Sequence, residues 1–151
     1  MKRAHVLRTA LAVSDCRSLW TAAAELGERI GWLNLESVAS ATGELEEAAA
    51  SGVFRAVGVS AGRVAAVKPV RGPVVVEDLV REYFSGCRLV LVRGTLDAPE
   101  LLKTDSGYAV RFVDGTRKSF TAEALARALR APRLRRMTEP GPRGSERSAI
   151  G

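Results

Sequence analysis

Residues 88–92 most strongly limit how this chain folds. They read Arg-Leu-Val-Leu-Val, in which residues 89–92 form a continuous apolar run with no polar alternation. A strand with one solvated face alternates apolar and polar residues, whereas a strand covered on both faces is apolar throughout. Gly86 precedes the run and ends a helical pattern over residues 75–84. We therefore expect residues 88–92 to form the central strand of a covered sheet in the second half of the chain.

The rest of this second half shows hairpin and helix signals. Residues 108–113 and 117–120 favour strands and flank Asp114-Gly115, a strong hairpin signal. Thr121 is placed to cap a final helix that ends before Pro132. The intervening segment, residues 96–102, is predicted to be irregular. Residues 71–131 are therefore expected to form a small α+β unit with a short, mostly antiparallel sheet.

The first half shows three helical stretches followed by a hairpin. A helical pattern runs over residues 18–30 and is expected to end at Gly31. A second helix is predicted to begin at Asn34 and a third to cover residues 44–51. Two β-favouring runs, residues 54–59 and 63–67, then flank Ser60-Ala61-Gly62, whose final glycine suits a three-residue hairpin turn. Residues 2–13 are predicted to form either a strand or a first helical turn.

This order of elements resembles a winged helix-turn-helix domain over about residues 18–70. Residues 35–43, Leu-Glu-Ser-Val-Ala-Ser-Ala-Thr-Gly, look like the second helix and turn of that family. Residues 44–51 stand at the recognition-helix position, and residues 54–67 at the wing. The resemblance implies an α+β protein with a winged-helix-like unit of three helices and a hairpin, and it implies DNA binding with the third helix in the major groove.

The chain is therefore expected to divide into three parts. Residues 1–70 form the winged-helix-like unit, residues 71–131 the small α+β unit, and residues 132–151 a basic, disordered tail. Alternatively, both hairpins join a single sheet. The linker that contains Pro69, Gly72 and Pro73 favours two units, since proline interrupts a ladder. Units of this size are marginal alone, so we expect them to pack together or on a partner.

Positive charge is concentrated toward the end of the chain. The formal net charge is +6 and the pI about 10.0, and residues 132–151 contribute a net +3. Such a tail favours nucleic acid or an acidic surface as a partner. Three of its arginines follow the predicted fold directly and are candidate phosphate contacts: Arg133, Arg135 and Arg136.

The predicted third helix differs from a nucleic-acid-reading helix in its charge. It carries Glu44, Glu46 and Glu47 and no basic residue, so it would repel phosphates. The hairpin region has the opposite charge, since no acidic residue lies between the first and last arginine of this region. We expect the hairpin to contact phosphates. We expect the acidic helix to face a protein partner. The hairpin candidates are Arg55, Arg63, Lys68 and Arg71.

Catalytic and metal-binding patterns are weak. Two isolated cysteines and one histidine do not supply a zinc site, and Gly58 to Gly62 lacks the Gly-Lys-Ser/Thr of a phosphate loop. His5 and Cys87 are expected to be structural. Three carboxylates near the central strand are the only acid-base or metal candidates, and they form no motif: Asp97, Glu100 and Asp105.

The sequence thus favours a cytoplasmic, non-catalytic, nucleic-acid-associated protein, either a DNA-binding regulator or an accessory subunit of a DNA- or RNA-handling complex. No cofactor, metal or membrane partner is expected. A protein-interaction or assembly subunit, including a homo-oligomer, is the alternative class. A small enzyme is the third.

Overall fold

The computed structural model describes residues 3–36, 43–68, 70, 72–132 and 134. The chain divides into two compact units. Unit 1 combines residues 1–36 with residues 80–151, and unit 2 comprises residues 37–79. The described residues are α+β, with four α-helices and eight strands.

Unit 1 is built on a six-stranded mixed sheet, and unit 2 contains a separate two-stranded sheet. The strands are β1 (His5–Thr9), β2 (Ile30–Asn34), β3 (Ala56–Ser60), β4 (Arg63–Val67), β5 (Leu89–Arg93), β6 (Glu100–Thr104), β7 (Gly107–Arg111) and β8 (Arg117–Phe120). The order in the large sheet is β2-β5-β1-β6-β7-β8, and the small sheet pairs β3 with β4.

The large sheet contains both parallel and antiparallel strand pairs. Strands β2, β5, β1 and β6 run parallel, and β7 and β8 add antiparallel pairings. A 3₁₀ helix (Val13–Cys16) and α1 (Arg17–Glu25) carry the chain from β1 to β2. Residues 94–99 then lead from β5 to β6 on the other side of β1. Because β6 begins opposite Arg8, near the end of β1, this loop lies at the edge where β1 ends.

The main core lies between one sheet face and two helices. Helix α1 packs beside α4 (Ala122–Ala128), and Leu19 and Leu125 from these helices join Leu7, Leu91 and Tyr108 of the sheet in one buried cluster. All four apolar residues of β5 from Leu89 to Val92 have 0% exposure. Since these alternate between the two faces, the predicted central, doubly covered strand is confirmed.

The predicted winged-helix-like unit is wrong. The first helix ends at Glu25, and residues 30–34, expected to close one helix and start another, form β2 beside β5. Gly31 lies inside this strand, where a Cβ would come within 2.3 Å of the Phe84 ring. The glycine therefore allows close packing within the sheet and does not end a helix.

Two further expectations about the second half are corrected. The sheet is not short and mostly antiparallel, because its first four strands are parallel. Residues 96–102 are not wholly irregular, since β6 begins at Glu100 and pairs with both β1 and β7. The proline at position 99 favoured an irregular segment in the prediction. The parallel pairing partner of this strand is distant in sequence, so no local pattern indicated that pairing.

The other predicted elements of the second half are present. Helix α3 (Val76–Tyr83), the β7–β8 hairpin and α4 occur where they were expected. Thr121 caps α4, because its Oγ1 accepts a hydrogen bond of 3.1 Å from the Ala124 amide. These elements depend on short-range patterns, which explains their successful prediction.

Unit 2 is a small helix-on-ribbon arrangement. Helix α2 (Gly43–Ala50) packs on the antiparallel β3–β4 ribbon, with Leu45 3.4 Å from where a Cβ on Gly58 would lie. The predicted hairpin is confirmed, but its turn has two residues, Ala61 and Gly62, both with positive φ. The single-sheet alternative is wrong, since this ribbon forms its own sheet. Most of the predicted second helix, residues 37–42, lies outside the described residues.

Candidate nucleic-acid interface

The β3–β4 ribbon has one covered face and one open face. Ala56 and Gly58 point toward α2, and Ala56 is buried. Because side chains alternate along a strand, the next positions point away from α2. Val57, Val59 and Val64 lie on this open face and are 54%, 77% and 71% exposed. The ribbon thus presents a valine-rich surface on the side opposite the helix.

The structure brings together only some of the predicted basic residues. Arg55 and Lys68 flank the Ala56–Val67 pair at the base of the ribbon. Arg63 pairs with Ser60 at the turn. The ribbon has five residue pairs, and a rise of about 3.4 Å per residue separates its two ends by about 14 Å. The basic residues therefore form a basal pair and a distant arginine.

An exposed aromatic ring lies beside the basal pair. Phe54 is 81% exposed, and the Arg55 guanidinium carbon lies 5.4 Å from the centre of its ring. This cation–π contact orients the arginine over an aromatic surface. Aromatic rings next to cations are a common feature of surfaces that stack nucleic-acid bases.

The acidic residues of unit 2 lie on the helix that covers the other face of the ribbon. Glu44, Glu46 and Glu47 are exposed on α2, whereas Leu45 of the same helix turns toward the ribbon. The helix that carries these carboxylates lies on the ribbon face opposite the open valines. The remaining candidates, Arg71, Arg133, Arg135 and Arg136, lie outside the described residues.

Unit 1 contains a charged row that the sequence did not predict. The register aligns Arg8 with Glu100, Glu100 with Arg111, and Arg111 with Arg117. Directly paired residues share a face, so these four side chains form a row across β1, β6, β7 and β8. Their neighbours Leu7, Leu101 and Val110 belong to the core with α1 and α4. The row therefore lies on the opposite face of the sheet.

Two of the arginines in this row share one carboxylate. Arg8 Nη2 lies 3.5 Å from Glu100 Oε1, and Arg111 Nη2 donates a hydrogen bond to the same oxygen. The Glu100 side chain is only 11% exposed, whereas those of Arg8 and Arg111 are 39% and 47% exposed. Arg117 is also exposed. Glu100 thus anchors a surface that is mainly cationic.

Three of the residues considered for acid-base or nucleophilic chemistry are held or shielded by the fold: His5, Cys87 and Glu100. His5 Nε2 lies 3.0 Å and 2.8 Å from the carbonyl oxygens of Leu129 and Ala131, so it carries the hydrogen and ties β1 to the end of α4. Burial raises the pKa of the Cys87 thiol, although Arg29 opposes the shift. Burial also raises the pKa of Cys16, which favours an inert, protonated thiol. The carboxylate of Glu100 forms ion pairs with Arg8 and Arg111.

A second surface near the start of α1 carries mixed charges. An open depression of about 520 Å³ is lined by two cations, Arg17 and Lys103, and by the carboxylates of Asp15, Glu25 and Glu123. Lys103 also lies 4.8 Å from the ring centre of Tyr108. Since carboxylates outnumber cations here, the depression does not favour a phosphate ligand.

Within the described ranges, no three histidine, cysteine or acidic side chains come together as a metal site. None of the described helices is long and apolar enough to cross a membrane. No protein-family model matches the chain, and a search of curated proteins found no match.

The row was missed because it depends on strand register. Arg8 and Arg111 each interrupt an apolar run, and no sequence motif links them. The one available signal was the alternation of residues 108–113, which places Arg111 away from the flanking Val110. Its alignment with Arg8 and Glu100 requires the parallel β1–β6 pairing, which has no local signature.

Proposed function

We propose that this protein is a non-catalytic, nucleic-acid-associated protein that contacts its ligand through the open side of the β3–β4 ribbon. The observation that carries this proposal is the separation of charge in unit 2. Arg55 and Lys68 flank the base of the ribbon, whereas the acidic residues lie on the helix covering its other face. A phosphate backbone can approach this side without meeting the carboxylates of α2.

The shape and chemistry of the ribbon support this role. A two-stranded antiparallel ribbon fits the major groove of duplex DNA. Basic residues at its base can contact phosphates, which position a protein without reading sequence. The exposed Phe54 ring offers a stacking surface for an unpaired base, and the open valines offer apolar contact with sugars or thymine methyl groups. The ribbon therefore suits both duplex and single-stranded ligands.

The test is binding of the full chain to fluorescent duplex and single-stranded DNA and RNA probes, measured by anisotropy over a series of salt concentrations. Loss of two phosphate contacts reduces the slope of log affinity against log salt by about 1.8 for duplex DNA. We expect this reduction for the double variant Arg55→Glu, Lys68→Glu. Arg127→Glu is the matched control, because Arg127 is exposed on α4 in unit 1. Equal slopes in both variants would overturn the proposal.

A second candidate function is supported by the valines. Three valines more than half exposed on one ribbon face form the kind of apolar surface that often marks a protein interface. An assembly subunit would lose its partner when Val59 and Val64 become Asp, and charge reversal at Arg55 and Lys68 would have little effect. Sedimentation velocity of the two variants distinguishes self-association of this kind from nucleic-acid binding.

A further inference from the structure

We infer that the row formed by Arg8, Glu100, Arg111 and Arg117 is a second binding surface, which contacts the phosphate backbone of the nucleic acid. This inference rests on the proposed function but concerns a different surface, in unit 1. It assigns phosphate binding to the sheet face opposite α1 and α4. The ribbon and the row carry the same kind of charge on separate parts of the chain.

The spacing of the row suits a repeated anion. Four adjacent strands contribute one residue each. With about 4.8 Å between neighbouring strands, the row spans about 14 Å. One strand of B-DNA advances about 3.4 Å along the helix axis per phosphate, so the row is long enough to meet more than one phosphate. The arginine positions follow one another across adjacent strands, which favours an extended polyanion over a single phosphate group.

The charge of the row also favours an anion. Three arginines face one glutamate, which leaves a net charge of +2. Arg8 Nε donates to the Ala98 carbonyl at 3.1 Å, and one terminal nitrogen of Arg8 contacts Glu100. A guanidinium has five N–H donors, so these contacts do not exhaust it. Arg111 likewise contacts Glu100 through one terminal nitrogen.

Glu100 acts as a positioning residue for two of the arginines. Its mostly buried carboxylate holds Arg8 and Arg111 at one point on the sheet while both remain partly exposed. A long side chain that is already held loses less conformational freedom when a ligand binds. The structure thus supplies two restrained guanidiniums, with Arg117 extending the line toward β8.

The test compares two double variants of the full chain with the same probes and salt series. The row variant carries both Arg111→Glu and Arg117→Glu. The ribbon variant carries both Arg55→Glu and Lys68→Glu, so each variant reverses two charges. If the row contacts phosphates, the slope of log affinity against log salt should be smaller by about 1.8 for its variant. Between about 50 and 200 mM salt, the affinity of this variant should then fall by a factor about 12-fold smaller than that of the native chain. The Arg127→Glu control should keep the native slope.

The outcomes separate the two proposals. A reduced slope for the row variant and a native slope for the ribbon variant support the inference and overturn the proposed role of the ribbon. The reverse pattern supports the ribbon and overturns the inference. Reduced slopes in both variants support both surfaces. Native slopes in both, or no binding by the native chain at the lowest salt, overturn both.

A second measurement uses the native chain and so does not depend on how the variants fold. Phenylglyoxal modifies accessible arginines, and mass spectrometry of peptides locates each modified residue. We expect bound nucleic acid to protect Arg8, Arg111 and Arg117 at least several-fold, while Arg127 reacts equally with and without it. Unchanged modification of the row in the bound protein would overturn the inference.

Discussion

Replacement of Gly31 by Ala tests whether residues 30–34 form a strand packed against Phe84. The ring atoms Cδ1 and Cε1 of Phe84 lie 2.3 Å and 2.7 Å from the position of the added Cβ. Carbon atoms normally pack at about 3.5–4.0 Å, so the ring must move by more than about 1 Å. Overpacking of this kind costs about 1–3 kcal/mol. For a chain of this size, each kcal/mol lowers Tm by about 2–4 °C.

The assay is a double-mutant cycle in urea, with far-UV circular dichroism as the readout. Gly31→Ala should destabilise the native chain by about 1–3 kcal/mol but should cost less than about 0.5 kcal/mol in a Phe84→Ala background, because the obstructing ring is absent. Gly43→Ala is a control, since its added Cβ has no described atom within 4 Å apart from its chain neighbours and its own helix backbone. Equal costs of Gly31→Ala in both backgrounds would refute the packing contact.

That cycle also distinguishes the two interpretations of the segment. A glycine just beyond a helix end is needed for its backbone conformation, so its replacement by Ala is costly whatever lies at position 84. A glycine inside a strand under a ring is needed for space, so its cost depends on that ring. The coupling energy between Gly31 and Phe84 therefore separates the structure from the helical prediction.

Three further predictions concern stability and reactivity. Burial tends to raise the pKa of Glu28, but the hydrogen bond from Arg130 and the charge of Arg88 outweigh burial and lower this pKa. The stability that this carboxylate contributes is therefore present above its unfolded pKa and is lost as pH falls through the folded pKa. Urea titrations should therefore show a smaller acid-induced loss of stability for Glu28→Gln than for the native chain, and equal losses would contradict this ion-pair role. Thr121→Ala removes the side-chain cap of α4 and should cost about 0.5–2 kcal/mol in thermal unfolding, while Thr121→Ser should cost little; equal effects would exclude capping. Cys16, with 0% exposure and a pKa raised by burial, should react with iodoacetamide only after unfolding, and rapid labelling of the native chain would contradict its position in the core.

Short-range patterns in the sequence correctly predicted several parts of the fold. The continuous apolar run around Leu91, the Thr121 cap and the two hairpins each depend on residues within about ten positions of one another. Side-chain periodicity and capping act over this range, so they leave a direct signal. The same patterns failed for β2 and β6, whose pairing partners are distant in the chain.

The candidate sites show how much depends on register. The predicted three-residue turn at residues 60–62 would pair Val59 with Arg63 and place this arginine on the open face. The observed two-residue turn pairs Ser60 with Arg63 and places it on the face that α2 covers. At the second hairpin, a two-residue Asp114-Gly115 turn would pair Arg111 with residue 118, but the observed pairing is with Arg117. A shift of one residue moves a side chain to the other face.

Composition and local patterning were therefore enough to establish an α+β chain with a covered central strand, a ribbon bearing basic residues and an acidic helix before it. Tertiary structure alone decided that β1 and β2 join the later strands in one sheet, and that Arg8, Glu100, Arg111 and Arg117 meet in a row. Parallel pairing is the physical reason, because it joins residues about ninety positions apart through backbone hydrogen bonds that any side chain permits.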